Sequence, residues 1–276
     1  MTETGSPAVR PQRRPLALTL EVPDDGQAAL AQATDCFSAA ELGRYRGLAK
    51  PADRLLFRAA HTLARVAVAR CHGGSCGEVE IDYHATGQPF ARIARGAPLA
   101  VSWAHCEGAV ACLTGTDSCG VDIEPLVTHD DVLDLAREAM HRDEIDEIRA
   151  LDVDDRSRRF LQSWTVKEAL SKAMGEGFGG ARGRRLLHQC SLHPRPGGIE
   201  VRAPAGLLDV DYAAALATVS PHHLAAFIVA GQAEPISIRR LRARLTTAAD
   251  AEDLASSLVD CGAVHAAPLA RTTIGN

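Results

Sequence analysis

The alternation of apolar and polar residues along the chain predicts several strands and two long helices. Residues 16–22 (LALTLEV) and 79–83 (VEIDY) alternate with a period of two, as half-buried strands do. In residues 53–70, apolar residues instead recur every three or four positions, which predicts a long helix. Ser38 followed by Glu41 forms a capping-box pattern, so we expect a short helix within residues 35–46. Further strands are predicted at 99–103, 109–114 and 120–124.

The second part of the chain repeats this mixture of helices and strands. Residues 130–149 are predicted as one helix whose many acids form a solvated face. Residues 156–175 form a second long helix, and residues 175–185 (GEGFGGARGRR) are predicted as a flexible basic loop. Three strands are predicted to follow, at 189–192, 198–202 and 224–229.

This order of elements is typical of an α+β protein with two halves. We place the first half at 16–116 and the second at 117–234. Residues 1–15 are rich in Pro, Gly, Ser and Arg, which predicts a disordered tail. Residues 235–276 are interpreted as an appendage of unknown role, with an Arg-rich stretch followed by a helix over 248–259.

Composition narrows the class of protein. The 276 residues are 46% hydrophobic and 24% charged, as in soluble globular proteins, and the formal net charge is −5. That charge gives no reason to expect nucleic acid or an anionic membrane as a partner, although the arginines of 239–244 leave a DNA-binding tail as one alternative. No stretch approaches the roughly 20 apolar residues of a membrane span, and no signal peptide is visible. The eight cysteines show no metal-binding spacing, so we expect reduced thiols and a cytoplasmic location.

Two short segments carry the candidate chemistry. Asp122 and Glu124 are two positions apart on a predicted strand, so both side chains lie on one face. Glu168, Lys167 and Lys172 lie on the second long helix, where Glu168 and Lys172 could also form an ordinary surface ion pair. Three carboxylates suit Mg²⁺, and lysines suit a phosphate. The pattern therefore favours a magnesium-dependent enzyme that acts on a phosphorylated substrate.

In combination, the segments 120–124 (GVDIE) and 164–172 (WTVKEALSK) resemble the motifs of the 4′-phosphopantetheinyl transferases of the surfactin-synthetase type. That family carries a G-[VI]-D-x-E strand and, some tens of residues later, a W-[ST]-x-K-E-[AS]-x-x-K helix. The resemblance covers about residues 16–230. Arg54 and His105 match weaker family positions upstream, whereas Gln88 replaces a family lysine, and Ala104 and Cys106 replace serines.

The resemblance implies a pseudo-dimer of two similar α+β halves with coenzyme A bound between them. The activity that the resemblance implies is the transfer of phosphopantetheine from coenzyme A to a serine of an apo acyl or peptidyl carrier protein. The other product is adenosine 3′,5′-bisphosphate. The nucleotide side lies in the first half, and the metal side and catalytic helix lie in the second. A monomer of the secondary-metabolism type is the expected form.

The resemblance also assigns roles to individual residues. Asp122, Glu124 and Glu168 would hold Mg²⁺ on the pyrophosphate, and Glu168 or a metal-bound water would be the base. Asp122, Glu168 and Lys172 would form the catalytic set. The residues expected to contact coenzyme A are Arg54, Gln88, His105, Lys167 and Lys172. Because Gln88 cannot supply a positive charge, we expect weaker coenzyme A binding than a lysine there would give.

Three alternatives remain. A module of the same fold could bind coenzyme A or a carrier protein without turnover, although the intact set of three carboxylates and two lysines argues against it. An unrelated Mg²⁺-dependent phosphate enzyme would not depend on a carrier protein. A DNA-binding tail is disfavoured by the acidic net charge of the whole chain and by its low aromatic content. For the carrier protein, the loop 175–185 with Phe178 and its arginines is the predicted docking surface. The sequence does not distinguish fatty acid, polyketide and nonribosomal peptide carriers.

Overall fold

The protein, taken from a computed structural model, is described over most of its length. The described residues are 14–22, 37–94, 96–195, 198–231, 236–243, 258–263, 267–268 and 273–275. Their helices are α1 (Ala39–Gly47), α2 (Pro51–His72), α3 (Val132–Ala139), α4 (Arg142–Ala150), α5 (Val153–Ala173) and α6 (Ala181–Gln189). No helix among these residues has the length and apolar character that crossing a membrane requires.

The strands form three sheets. The first seven are β1 (Leu16–Glu21), β2 (Val79–Tyr83), β3 (Pro89–Ile93), β4 (Leu99–Cys106), β5 (Ala109–Gly115), β6 (Cys119–Pro125) and β7 (Ser191–Arg195). The others are β8 (Gly198–Pro204), β9 (Tyr212–Ser220), β10 (His223–Ala230), β11 (Ser237–Ala243), β12 (Leu258–Ala263), β13 (Ala267–Pro268) and β14 (Thr273–Gly275). The sheet orders are β12-β11-β1-β5-β4-β3-β2, β13-β9-β10-β6 and β14-β8-β7. The chain is therefore a mixed α+β protein, as its pattern predicts.

Each large sheet is covered by one long helix. Helix α2 packs against β1, β4 and β5, and its apolar stripe is buried there. The helix begins with Pro51, whose fixed φ suits a first helical position, and ends at Gly73, whose φ is +85°. Helix α5 packs in the same manner against β6 and β10. The two helices thus place one apolar layer in each part of the molecule.

A third apolar cluster lies where the two sheets meet. Val121 and Ile123 of β6 pack there with Leu113 of β5 and Phe227 of β10, all within 2% of complete burial. The side chain of Ser102 on β4 accepts a hydrogen bond of 3.1 Å from the Val121 amide. The odd-numbered residues of β6 therefore belong to the core between the sheets, and the even-numbered ones face α5.

Three expectations about local structure need correction. The single helix predicted over 130–149 is two helices, because Met140 is extended and His141 begins α4 with its own capping box to Glu144. The flexible loop 175–185 contains the start of α6, whose Leu186 is fully buried. Strand β4 extends to Cys106, beyond the predicted end at residue 103, and therefore includes His105.

The stretch 235–276 is not an appendage throughout. Strand β11 pairs with β1 in parallel, from Leu16 opposite Ser237 to Glu21 opposite Arg242, so it belongs to the large sheet. The helix predicted over 248–259 lies outside the described residues, except for its end, where β12 begins at Leu258. The disordered tail predicted for 1–15 also lies outside them, apart from its last two residues.

The capping box of α1 is part of a buried charged cluster. Glu41 is fully buried, and its carboxylate lies 2.7 Å from both His61 Nδ1 and Arg65 Nη2. Desolvation alone would raise the pKa of Glu41, but the hydrogen bonds from His61 and Arg65 outweigh it and lower the pKa to about 2. The cluster therefore joins α1 to α2 next to the cleft described below.

We expect Glu41 to stabilise the fold above its unfolded pKa of 4.5, with that contribution lost as the pH falls towards 2. Glu41→Gln should lower the free energy of unfolding by about 2–3 kcal/mol at pH 7 and flatten its acid dependence between those values. Urea unfolding at several pH values measures both effects. An equally steep acid limb in the variant would contradict this role.

Candidate active site

The close approach of β6 to α5 depends on Gly120. A Cβ atom at this position would lie 1.9 Å from the carbonyl oxygen of Ala169 and 2.5 Å from the amide nitrogen of Ala173. No side chain fits there, so the backbone of α5 lies directly on the strand. The two segments singled out in the sequence are thus in direct contact.

The next residue on the same face of β6 is Asp122, which contacts α5 through Lys172. Lys172 Nζ lies 2.7 Å from Asp122 Oδ1 and 3.2 Å from Glu168 Oε2. Asp122 is 4% exposed, whereas the Glu168 and Lys172 side chains are about a quarter to a third exposed. The ammonium group therefore bridges a buried carboxylate and an accessible one.

Glu124 completes the row. Trp164 Nε1 donates a hydrogen bond of 2.8 Å to Glu124 Oε1, and the indole packs against Phe178 with ring centroids 5.4 Å apart. Residues 120, 122 and 124 thus meet α5 one after another along its length. The spacing of the two motifs is explained by this register, because strand and helix run side by side.

The electrostatics of the row suit an additional cation. Burial raises the pKa of Asp122 and of Glu124, and the negative charge of Glu168 adds to both shifts. Desolvation would lower the pKa of Lys172, but Asp122 and Glu168 raise it instead. The ammonium group of Lys172 contacts two carboxylates, and the third, Glu124, is paired with an uncharged indole, so negative charge is in excess.

The carboxylates also have free coordinating capacity. Asp122 Oδ2 is buried and makes no hydrogen bond within the part of the chain that the structure describes. Among the same residues, no group of three or more carboxylate, imidazole or thiol side chains is arranged closely enough to hold a metal ion without movement. A buried carboxylate oxygen without a donor, beside two further carboxylates, fits a hard divalent cation.

A cavity of about 380 Å³ lies between the two parts of the molecule, beside this row. Lys172 and the turn Gly175–Gly177 line it from the second half. From the first half it is lined by Arg44, His61, Tyr83, Gln88, Trp103 and His105, among others. Cations, aromatic rings and polar groups thus surround one space, which is a suitable set for a nucleotide with several phosphates.

Two of the sequence-predicted ligand residues of the first half reach this cavity, and one does not line it. His105 and Gln88 are among its lining residues. Partial desolvation and the charge of Lys172 lower the pKa of His105. Arg54 lies in the first turn of α2 and donates from Nε to the carbonyl of Leu48, 2.9 Å away. Ala104 is buried in the core between the sheets rather than at the cavity.

The prediction for Lys167 is wrong. Its side chain is completely buried and forms an ion pair with Glu144, and it also donates to the carbonyl oxygen of Leu187, 2.8 Å away. It joins α5 to α4 and α6 and cannot reach the cavity. The sequence does not indicate that Lys167 is buried. Because residues 167 and 168 face different sides of the helix, the position of Glu168 at the site says nothing about Lys167.

Sequence reasoning missed Arg44, Tyr83 and Ser118. The guanidinium of Arg44 lies 3.7 Å from the ring centroid of Tyr83 at the cavity wall, a cation–π contact. The only sequence signal was the basic end of α1, where Arg44 and Arg46 follow each other. Ser118 lies in the turn before β6 and contacts the end of α5, which nothing in the sequence indicated.

The fold and the site thus combine a cavity between two α+β parts with a row of carboxylates beside it. Residues 118–225 match the family model of the 4′-phosphopantetheinyl transferase superfamily. These residues include β6 and α5, so the match covers the whole carboxylate row.

Two relatives support this match. The chain is 28% identical over 158 residues to 4′-phosphopantetheinyl transferase HetI of Nostoc sp. (strain PCC 7120), which covers 56% of this chain and 66% of HetI. It is 26% identical over 145 residues to the putative 4′-phosphopantetheinyl transferase slr0495 of Synechocystis sp. (strain PCC 6803), covering 52% and 58% respectively. The chain matches less than two thirds of the length of either relative. The comparisons thus show that this chain is similar to the 4′-phosphopantetheinyl transferase superfamily over residues 118–225.

Proposed function

We propose that this protein transfers the phosphopantetheine group of coenzyme A to a serine of an apo carrier protein. The observation that carries the proposal is the convergence of Asp122, Glu124, Glu168 and Lys172 beside a cavity between the two halves. In the reaction, the serine oxygen forms a bond to the β-phosphorus of coenzyme A. The bond to the leaving adenosine 3′,5′-bisphosphate breaks, and the serine proton goes to a base.

Asp122, Glu124 and Glu168 are the residues that would hold Mg²⁺. Bound there, the ion would neutralise pyrophosphate charge and stabilise the leaving group. Lys172 already lies between Asp122 and Glu168, so its ammonium adds a second positive charge near the same phosphates. Excess negative charge in the row and the unpartnered Asp122 Oδ2 support this assignment.

The base in this proposal is Glu168. Its carboxylate is about a quarter exposed, unlike that of Asp122, and it can therefore meet a serine that arrives from solvent. A serine hydroxyl is a weak nucleophile until a base removes its proton. Lys172, 3.2 Å away, holds the carboxylate in place through its ion pair.

The first half supplies the contacts to the nucleotide. Arg44 and His105 line the cavity from the first half, so we assign them to the 3′-phosphate end of coenzyme A, together with Arg54 in the first turn of α2. Tyr83 and Trp103 offer aromatic rings for the adenine of coenzyme A. We include in the proposal a pseudo-dimer of the surfactin-synthetase type. From the resemblance alone, we expect it to act as a cytoplasmic monomer in secondary metabolism or fatty acid synthesis.

The direct test of this reaction is product release. The protein is incubated with coenzyme A and an apo carrier protein, with Mg²⁺ or with a chelator, and adenosine 3′,5′-bisphosphate is measured by chromatography. We expect release only when the carrier and Mg²⁺ are both present. Tight coenzyme A binding without release, with several carriers, would support the non-catalytic module instead. Release without a carrier would indicate a different phosphate enzyme.

Helix α6 is the proposed docking surface for the carrier protein. Arg184, Arg185 and His188 are exposed on it, and the helix contains no acid. The turn that precedes α6 lines the cavity at Gly175–Gly177, so this basic surface lies beside the mouth of the site. An acidic carrier surface would be attracted to it, mainly by faster association.

Reversing the charge of this surface should weaken carrier recognition without affecting coenzyme A. In the double variant Arg184→Glu and Arg185→Glu, we expect KM for an acidic carrier to rise about tenfold and to lose most of its salt dependence. The Kd for coenzyme A should stay within about twofold. Arg149→Glu, on the exposed face of α4, is the matched control. Equal effects of both changes would contradict docking on α6.

A further inference from the structure

The last turn of α5 is held by side chains from outside the helix. The final carbonyl groups of a helix lack intrahelical partners and need other donors. Here Ser118 Oγ donates a hydrogen bond of 2.6 Å to the carbonyl oxygen of Ala173. Gln88 Nε2 lies 3.3 Å from the carbonyl oxygen of Lys172 and 3.3 Å from Ser118 Oγ. Both donors come from turns, since Gln88 lies between β2 and β3 and Ser118 lies between β5 and β6.

The orientation of the Gln88 amide follows from these partners. The carbonyl oxygen of Lys172 can only accept, and the hydroxyl proton of Ser118 is already donated to Ala173. Gln88 must therefore present its NH₂ group to both, and a chain of hydrogen bonds runs from Gln88 through Ser118 to α5. Such chains strengthen each member.

Gly175 supports the same contact from the other side. Its φ of +78° is left-handed, and its amide donates to the carbonyl of Lys172, 3.0 Å away. A Cβ atom there would lie 2.9 Å from Gln88 Oε1. The half-buried side chain of Gln88 thus contacts the end of α5, although the residue also lines the cavity.

We propose that Gln88 is a positioning residue that fixes the last turn of α5, and with it Lys172, relative to the nucleotide-binding side of the cavity. Gln88 lies on the turn between β2 and β3, and Lys172 Nζ bridges Asp122 and Glu168. Loss of the Gln88 contact makes the turn that carries Lys172 more mobile, while the cavity wall formed by the first half keeps its structure. The kinetic consequence rests on the proposed transferase function, but the structural claim does not.

Hydrogen exchange measured by mass spectrometry on the whole protein tests the structural claim. In Gln88→Met, which keeps the length but removes the donor, we expect exchange in residues 172–177 to be about fivefold faster or more. In Gln88→Lys, whose ammonium can donate to both acceptors, protection of this turn should be restored. Ser118→Ala should reproduce the local loss, and Gln189→Met on exposed α6 should not.

Kinetics separate positioning from ligand contact. We expect Gln88→Met to lower kcat about tenfold while the Kd for coenzyme A changes less than twofold. Wild-type exchange in residues 172–177 of Gln88→Met, together with weaker coenzyme A binding, would overturn the proposal. Faster exchange throughout the chain would also overturn it. If the wild-type protein transfers nothing, the transferase proposal fails, and the local exchange result still decides the role of Gln88.

Discussion

Replacing Asp122 by asparagine should lower phosphopantetheine transfer by about a thousandfold and leave the protein folded. The side chain keeps its shape and one acceptor for Lys172, 2.7 Å from Asp122 Oδ1. It loses the negative charge that we assign to the metal. Because burial already raises the pKa of this carboxyl, its charged form is costly, and the neutral amide removes that cost.

Transfer to an apo carrier protein at saturating coenzyme A measures the effect, and thermal unfolding checks the fold. We expect the unfolding midpoint to be equal to or higher than that of the wild type. Glu80→Gln, an exposed carboxylate of β2, is the matched control and should keep full activity. If Asp122→Asn turned over at the wild-type rate, the proposed role of the carboxylate row in catalysis would be contradicted.

Replacing Gly120 by alanine should destabilise the protein by at least about 3 kcal/mol, because overpacking against a backbone cannot be relieved by a side-chain rotation. The added Cβ would lie 1.9 Å from the carbonyl oxygen of Ala169. Helix α5 must then move away from β6, which also separates Lys172 from Asp122. We therefore expect transfer to fall with stability.

Gly43 provides the matched control, since it lies in the exposed part of α1 and a Cβ there meets nothing within 4 Å. Gly43→Ala should stabilise by about 0.5–1 kcal/mol, the usual gain in a helix. Urea unfolding of both variants gives the two values. A Gly120→Ala variant as stable as Gly43→Ala would show that β6 and α5 are not in close contact.

The sequence predicted the elements whose causes are local. The capping box of Ser38 and Glu41, the strand 79–83 and the long helix before Gly73 all follow from neighbouring residues. The carboxylate row was also predictable, because residues 122 and 124 must share one face of a strand. Its partner helix was identified through the resemblance, and Gly120 gives the physical reason why the two motifs occur together.

The errors concern residues whose position depends on distant contacts. Lys167 has the same local context as a surface lysine, and only the packing of α4 and α6 against α5 encloses it with Glu144. Gln88 was interpreted as a lost phosphate contact, whereas its amide lies against the end of α5. Helix α6 is short, with three arginines and one glycine, and Gly183 fits against the carbonyl of Gly177 only in the folded protein.

The most direct test of the transferase assignment is the intact mass of an apo carrier protein after incubation with this protein, coenzyme A and Mg²⁺. We predict a gain of roughly 340 Da, one phosphopantetheine group on the carrier serine, and no gain for a carrier whose serine is replaced by alanine. An unchanged carrier mass with fatty acid, polyketide and nonribosomal peptide carriers, despite measurable coenzyme A binding, would contradict the account.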